Sequence, residues 1–427
     1  MVIDISSDDS AYLYTIIDKI IDECGPRMPC SEEEVHAANI IKSELDKVCD
    51  ETKIEPFSCH PRAFLGFIKI NVFLVFISFL IFFFQPLEYG YFVSLLFSLI
   101  IFILNAVAFV IIWNEFFNYR EFIDPLFKKR HSQNVVGTIR GEGEIQKILI
   151  FSGHHDSALQ FNLLRYLKVG YGIIIFLGLG IMVFWLVCSL FYFLSTLLNF
   201  DTFQILFNIA FWTFIIGIVP LIALFNFVSP GMRANKVPGA VDNLSAVSIV
   251  IGIARYLQKH KELIPNNTEI RLISFGCEEA GLRGAYRYVE EHEEELKELD
   301  AENINMDGIM NENVIKFVEY EPTTRTEHSA EVVRKLVAAA ENAQVKAEPF
   351  GSGGMEKLIG QISGGTDATA FSKAGIKAST ISAMQLKKFF KFYHQPTDTL
   401  DMIQKGSLEK VLKICLGYLK VQKKENN

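Results

Sequence analysis

The sequence lacks the features of several common protein classes. Its seven cysteines are an odd number without Cys-X-X-Cys spacing, so neither a disulfide framework nor a cysteine-based zinc knuckle is indicated. The net charge is −8 and no long basic stretch is present, so nucleic-acid binding is not expected. The acidic N-terminal segment has no apolar core of the signal-peptide type, so no secretion signal is expected. Reduced thiols in a reducing compartment are the simplest interpretation.

Long apolar stretches are abundant instead. Half of the residues are hydrophobic and 37 are Phe. Four stretches each have the length of a helix that spans a hydrocarbon core of about 30 Å. Buried core helices are the alternative, but these are usually shorter and carry more charge. The stretches run from Phe64 to Phe84, Tyr91 to Trp113, Gly170 to Leu194 and Phe203 to Phe227.

The short links Gln85–Gly90 and Ser195–Thr202 pair these stretches into two antiparallel membrane hairpins, at 63–113 and 169–228. A hairpin starts and ends on the same side of a membrane. Segments 1–62, 114–168 and 229–427 should therefore share one compartment and form one domain.

The distribution of Lys and Arg predicts which compartment contains these segments. Both links lack Lys and Arg, so the positive-inside rule predicts an integral multi-pass protein with four transmembrane helices and a cytoplasmic domain. The basic residues that flank the opposite helix ends are Arg62, Lys69, Arg120, Lys128, Lys129, Arg130, Arg165, Lys168, Arg233 and Lys236.

Outside the apolar stretches, strand and helix patterns alternate. Lys147–Phe151 and Glu269–Phe275 are short apolar runs typical of buried strands, whereas Asp242–Gln258 and Gly284–Glu298 have helical spacing. Such alternation predicts an α/β sandwich built on a largely parallel sheet.

Residue types that bind metals recur where strands should end. SGHHDS follows the strand KILIF, GCEEAGLRG follows EIRLISF, and similar residues occur in VPGAVDNLSA, NINMDGIM and FYHQPTDTL. Each cluster alone has an ordinary explanation as a turn, a helix cap or a solvated face. In open α/β sheets, however, ligands bind beyond the carboxyl ends of the strands, so all five clusters could converge there.

The ordered set of motifs resembles the di-zinc metallopeptidase family M28, which includes bacterial aminopeptidases, glutamate carboxypeptidase and the glutaminyl cyclases. The resemblance begins at GPRMPCSEEEVHAANIIKSEL and covers most of the chain outside the hairpins. It implies a three-layer α/β sandwich with a mixed, largely parallel sheet, interrupted here by two transmembrane helical hairpins. The motifs that follow the first are GHHDS, PGAVDNLSA, EEAGLRGAY, NMDG, GGTDATAFSKAGI and YHQPTDT.

The resemblance implies a site with two metal ions. His154 and Asp307 resemble ligands of the first ion, Glu279 and His394 resemble ligands of the second, and Asp242 resembles the carboxylate that bridges both. Zinc is the expected metal, and imidazole and carboxylate ligands also permit manganese or cobalt.

Catalytic and supporting roles follow from the same resemblance. Glu278 resembles the general base, and Tyr393 resembles the phenol that steadies the oxyanion. Asp156 resembles the carboxylate that holds the His154 imidazole. Asp367 falls in a supporting element and is not expected to be a ligand.

Three departures from the family pattern are visible. Ala246 stands where the family has Gly, and His155 stands where an aromatic residue is common. The second hairpin is inserted between Asp156 and Asp242, where the family has a short loop.

The expected function is that of a membrane-anchored exopeptidase acting on peptide substrates, with aminopeptidase activity ahead of carboxypeptidase or cyclase activity. A peptidase-like subunit without activity and a transporter with a regulatory domain are the rival interpretations. The oligomeric state stays open.

Overall fold

The computed structural model describes residues 3–85, 90–168, 170–228, 235–350 and 364–425. The chain forms two compact units. The sheet unit comprises Met1–Pro61, Lys128–Gln160 and Pro230–Asn427, and the helical unit comprises Arg62–Phe127 and Phe161–Ser229. The helical unit therefore includes 114–127 and 161–168, which the sequence analysis assigned to the domain outside the hairpins.

Ten strands lie in the described part of the sheet unit. They are β1 (Glu51–Cys59), β2 (Arg130–Arg140), β3 (Lys147–His154), β4 (Thr268–Phe275), β5 (Glu302–Ile309), β6 (Ile315–Val318), β7 (Tyr320–Glu321), β8 (Thr326–Glu327), β9 (Ala347–Phe350) and β10 (Lys377–Ala383). Eight of them form one sheet in the order β1-β2-β4-β3-β5-β10-β6-β9, and β7 pairs with β8. The central strands β4, β3, β5 and β10 are parallel, whereas β1, β2 and β6 add antiparallel pairs.

Thirteen α-helices accompany these strands in the described residues. They are α1 (Ser7–Cys24), α2 (Glu32–Leu45), α3 (Ala63–Phe84), α4 (Tyr91–Asn118), α5 (Asn162–Leu167), α6 (Gly170–Leu197), α7 (Phe203–Phe225), α8 (Ser245–Lys259), α9 (Arg283–Glu298), α10 (Ala330–Asn342), α11 (Ala368–Lys373), α12 (Leu386–Phe392) and α13 (Ser407–Glu425).

The sheet separates two hydrophobic cores, because successive side chains of a strand point to opposite faces. In β3, Leu149 and Phe151 belong to the core that includes residues of α1, α2, α8, α10 and α13. Ile148 and Ile150 belong to the core that includes residues of α9 and α11. The predicted three-layer α/β sandwich with a mixed, largely parallel sheet is therefore confirmed.

The helix predicted over Asp242–Gln258 begins three residues later than expected, at Ser245. Asp242 and Asn243 have non-helical backbone angles, with φ −118° and −142°. Ala246 then packs into the space left by Gly153 of β3, where an added β-carbon would lie 2.5 Å from the Ala246 β-carbon. The missing side chain at Gly153 thus accommodates the alanine that departs from the family pattern.

The helical unit is built from the four long apolar helices α3, α4, α6 and α7. The Trp185 indole stacks on Phe79 at a centroid distance of 4.3 Å and donates a 2.9 Å hydrogen bond to Ser78 Oγ. These contacts join α6 to α3. Large apolar side chains point outward from the unit, with Phe92 exposed by 82% and Ile205 by 65%. Polar groups inside and apolar groups outside are the arrangement expected of helices in lipid.

By length and composition, five helices of the described chain could cross a membrane. Four are the helices of the helical unit. The fifth, Ala240–Lys259, contains α8, and 94% of its apolar window is buried. Because α8 lies in a core of the sheet unit, we treat it as a core helix.

Candidate active site

The motif residues gather at the carboxyl edge of the parallel strands. His154 is the last residue of β3, and Asp307 lies near the end of the neighbouring β5. Glu278 and Glu279 follow the end of β4 at Phe275. Asp242 directly precedes the turn that starts α8. Parallel strands thus bring together residues that are far apart in the sequence.

Two overlapping groups of ligand-type atoms share His154. In each group, three residues contribute one ligand atom each, and these atoms lie within 4.8 Å of one another. The first group is His154, Asp242 and Glu279, and the second is His154, Glu278 and Asp307. Asp242 faces two imidazoles through different oxygens. Its Oδ1 is 3.2 Å from His154 Nε2, and its Oδ2 is 3.5 Å from His394 Nε2. His394 Nε2 also lies 3.4 Å from Glu279 Oε2.

The electrostatics of this group fit a bound cation. Burial, reinforced by neighbouring carboxylates, raises the pKa of Glu278, Glu279 and Asp307 well above the usual range. Burial also opposes ionisation of Asp242, but His154 and His394 outweigh it and lower the pKa of that carboxyl. A cation among these carboxylates would offset the cost of burying their charges.

Two buried polar atoms also point to a cation. Among the described residues, His154 Nε2 and Glu279 Oε1 have no partner with hydrogen-bond geometry. Such atoms are costly unless a ligand, water or ion satisfies them. Imidazole nitrogen and carboxylate oxygen are both ligands of zinc.

Asp156 has a broader structural role than the resemblance implied. Its Oδ1 lies 3.3 Å from His154 Nδ1, the contact expected of a carboxylate that orients an imidazole. The same carboxylate accepts the backbone N–H of Glu278 at 3.1 Å and that of Glu279 at 3.0 Å. The buried Asp156 side chain thus links the end of β3 to the loop after β4.

His155 makes different contacts from its neighbour. Its Nδ1 lies 2.9 Å from Ser274 Oγ on β4, and burial lowers the pKa of its imidazole to about 4. Its carbonyl accepts a hydrogen bond from Nε of the fully buried Arg27, which also donates to the carbonyls of Gly25 and Pro238. The Gly-Pro-Arg motif therefore ties the N-terminal segment to the strand end that carries His154.

Two residues that position the site were not singled out from the sequence. Asp398 accepts the backbone N–H of Val241 at 2.8 Å and that of Asp242 at 3.2 Å. Asn243 donates to the Met306 carbonyl at 3.0 Å and accepts the Gly308 N–H at 3.4 Å. Both lie in motifs quoted above, but their partners depend on tertiary structure.

Replacing Asp398 should loosen this support. Asp398→Ala leaves two backbone amides without their acceptor, which should lower the free energy of unfolding by about 1–3 kcal/mol for each amide. Metal affinity should fall as well, because the Asp242 backbone loses its fixed position. Urea unfolding and metal analysis measure both effects. Asp401→Ala, at an exposed position nearby, is the control, and equal stability of the two variants would contradict the assignment.

Tyr393 lies in the same motif as Asp398, and Asp367 lies in GGTDATAFSKAGI. The Tyr393 ring stacks on His394 at 3.9 Å and on Phe389 at 4.3 Å. Burial raises the pKa of Asp367 to about 7, and its carboxyl oxygens have no hydrogen-bond partner among the described residues. Glu321 holds the adjoining Thr366 by accepting from its hydroxyl at 2.6 Å.

Residues 227–419 match the family model described as Peptidase family M28. The part of the chain that matches is somewhat less than half of it, and it resembles the family that the motifs predicted. It is similar to the aminopeptidase YwaD of Bacillus subtilis, with 31% identity over 180 residues, covering 40% of this chain and 35% of that protein. The match thus spans about a third of the relative's length.

Solved structures share the fold at low sequence identity. One is BSAP, a zinc aminopeptidase from Bacillus subtilis, with a TM-score of 0.51, 14% identity, and coverage of 96% of this chain and 94% of that one. Another is a glutaminyl cyclase from an Acidobacteriales bacterium, with a TM-score of 0.53, 12% identity, and coverage of 99% and 97%.

Proposed function

We propose that the protein is a membrane-anchored, zinc-dependent exopeptidase with two metal ions, and that it acts as an aminopeptidase on peptide substrates. The observation that carries this proposal is the buried group of imidazoles and carboxylates at the sheet edge, together with the match to Peptidase family M28. The zinc named for the aminopeptidase BSAP supports the choice of metal.

The proposed ligands divide into two sets that share Asp242. His154 and Asp307 would hold one ion, and Glu279 and His394 would hold the other. Bound there, the ions supply Lewis acidity toward the scissile carbonyl and lower the pKa of water. Manganese or cobalt could occupy the same ligands.

Glu278 is the proposed general base. It lies in the group with His154 and Asp307 but is not needed as a ligand in either set. Burial and neighbouring carboxylates hold the pKa of Glu278 above the usual range, closer to that of an efficient general base. Its role is to take a proton from the attacking water and deliver it to the leaving amine. Tyr393 would donate to the developing oxyanion, while Asp156 keeps His154 and Glu278 in position.

A peptide panel with free and blocked termini tests the activity. We expect cleavage of peptides with a free amino terminus, loss of cleavage with a chelator, and recovery when zinc is restored. Cleavage that requires a free carboxyl terminus would indicate a carboxypeptidase instead. Conversion of N-terminal glutamine without hydrolysis would indicate a cyclase. Chelator-resistant activity, or none in the metal-loaded protein, would contradict the metallopeptidase proposal.

The helical unit is the proposed membrane anchor, with α3, α4, α6 and α7 as four spans. Its outward apolar side chains and its buried Ser78 and Trp185 support this proposal. The basic residues that flank the helices, with none in either link, support a cytoplasmic sheet unit.

Protease treatment of sealed vesicles should therefore digest the sheet unit only when its cytoplasmic face is outside. A tag inserted in Ser195–Thr202 should be accessible from the opposite face and serves as the control. Digestion of the sheet unit only from the extracytoplasmic side would contradict the orientation.

A further inference from the structure

Three cysteines from distant parts of the sequence meet in the sheet unit. Cys30 lies just before α2, Cys59 ends β1, and Cys277 follows β4. The distance from Cys30 Sγ to Cys59 Sγ is 3.5 Å, that from Cys30 Sγ to Cys277 Sγ is 3.4 Å, and that from Cys59 Sγ to Cys277 Sγ is 3.6 Å. We name this group the thiol triangle. Sequence spacing could not predict this group, because its members are separated by 29 and 218 residues.

We propose that the thiol triangle binds one thiophilic metal ion, zinc or monovalent copper, at a site separate from the hydrolytic centre. Thiolates are soft ligands that select these ions. Sulfurs bound to one zinc ion at about 2.3 Å lie about 3.8 Å apart in tetrahedral geometry. The three sulfurs would have to separate by only a few tenths of an ångström, so side-chain adjustment is sufficient.

A buried carboxylate holds two of the three cysteines in place. Glu34 accepts the backbone N–H of Cys30 at 2.7 Å, that of Cys277 at 2.9 Å, and the Ser132 hydroxyl at 2.9 Å. Both Glu34 oxygens are engaged in this way, so Glu34 positions the segments that carry the ligands and is not itself counted as a ligand. A site held in position before the metal arrives loses little ordering entropy on binding.

The exposure of the sulfurs is compatible with either ion. Cys59 and Cys277 are buried, whereas Cys30 is half-buried. Copper(I) would be satisfied by three sulfurs. Zinc usually takes four ligands, and the half-buried side at Cys30 leaves room for a water as the fourth.

Binding would have a mechanical consequence for the hydrolytic centre. Cys277 directly precedes Glu278, whose N–H is held by Asp156 from the other side. A metal at the thiol triangle would tie this loop to β1 and to the segment before α2. It would therefore fix the loop that carries Glu278 and Glu279.

Cobalt(II) titration of the reduced, full-length protein tests the proposal. Thiolate-to-cobalt charge-transfer absorption reports on the thiol triangle alone, because the hydrolytic centre has no thiolate ligand. We expect this absorption to saturate with one cobalt ion per chain in the thiol triangle, in addition to any cobalt that enters the hydrolytic centre. If the thiol triangle selects zinc, zinc should displace the bound cobalt. If it selects copper(I), the protein should retain copper(I) in the presence of a competing chelator. These two arms identify the ion.

Cysteine variants provide the matched controls. Cys59→Ser and Cys30→Ser should lose the absorption, and Cys49→Ser, at a half-buried cysteine outside the triangle, should keep it. Cys30→Ser keeps the test valid if Cys59→Ser does not fold, as checked by circular dichroism. Absence of the absorption in the reduced protein, or its persistence in Cys30→Ser, would overturn the proposal. Finding two of the three cysteines joined by a disulfide in protein purified under reducing conditions would also overturn the proposal.

Discussion

Glu278→Gln is expected to abolish peptide hydrolysis while the protein keeps its metal ions. The substitution preserves the size of the side chain but removes the group that accepts a proton, and loss of a general base typically costs on the order of 10²–10⁴ in rate. The retained metal distinguishes this effect from a collapsed site, because Glu278 belongs to neither proposed ligand set. Initial rates and metal content should be measured on the same preparation.

The matched control for this experiment is Glu290→Gln. Glu290 lies on the surface of α9 and pairs with Arg287 at 2.9 Å, with most of its side chain exposed. The Glu290→Gln variant should retain full activity. A Glu278→Gln enzyme as active as the parent would remove Glu278 from the mechanism, whatever the metal content.

Asp242→Ala is expected to lose both metal ions and all activity. Its two oxygens face His154 and His394, one from each proposed ligand set, so removing the carboxylate weakens both ions together. Asp307→Ala and Glu279→Ala remove a ligand from one set and should weaken mainly one ion. Metal analysis of the three variants gives the comparison. Two ions per chain in Asp242→Ala would rule out the bridging assignment.

The sequence predicted the helices and strands whose patterns are local. The apolar stretch from Phe64 to Phe84 corresponds to α3 within one residue. α4 runs beyond the predicted end at Trp113 to Asn118, and within this extension the side chain of Glu115 is buried and accepts the N–H of Ile123. A charged residue near a helix end therefore concealed the true boundary. The layered α/β fold followed from the alternation of apolar runs with helical spacing.

The contacts that organise the site could not be predicted in the same way. The motif order indicated which residues would meet at the sheet edge, but not that Asp156 would hold two amides of the loop after β4. Asp398 and Asn243 have no distinctive local pattern, since each acts through backbone groups more than 60 residues away. The thiol triangle is the extreme case, because the cysteine spacing in the sequence indicated neither a disulfide framework nor a cysteine-based zinc knuckle.

The strand order of the sheet unit constrains the order in which the protein can be made. β1 pairs with β2 across the first apolar hairpin, and β3 pairs with β4 and β5 across the second. The ends of the second interruption are joined where Asn235 Oδ1 accepts the Gln160 N–H at 2.9 Å and Asn235 Nδ2 donates to the Ala158 carbonyl at 2.9 Å.

During synthesis, the first strands therefore have no complete sheet to join until β10 has left the ribosome, because β10 lies between β5 and β6 in the sheet. Pairings between such distant segments form slowly and leave strand edges open to aggregation in the meantime. Both apolar hairpins are synthesised before the sheet can be completed. Synthesis of both hairpins thus precedes completion of the sheet, so the sheet that carries the site is complete only near the end of synthesis.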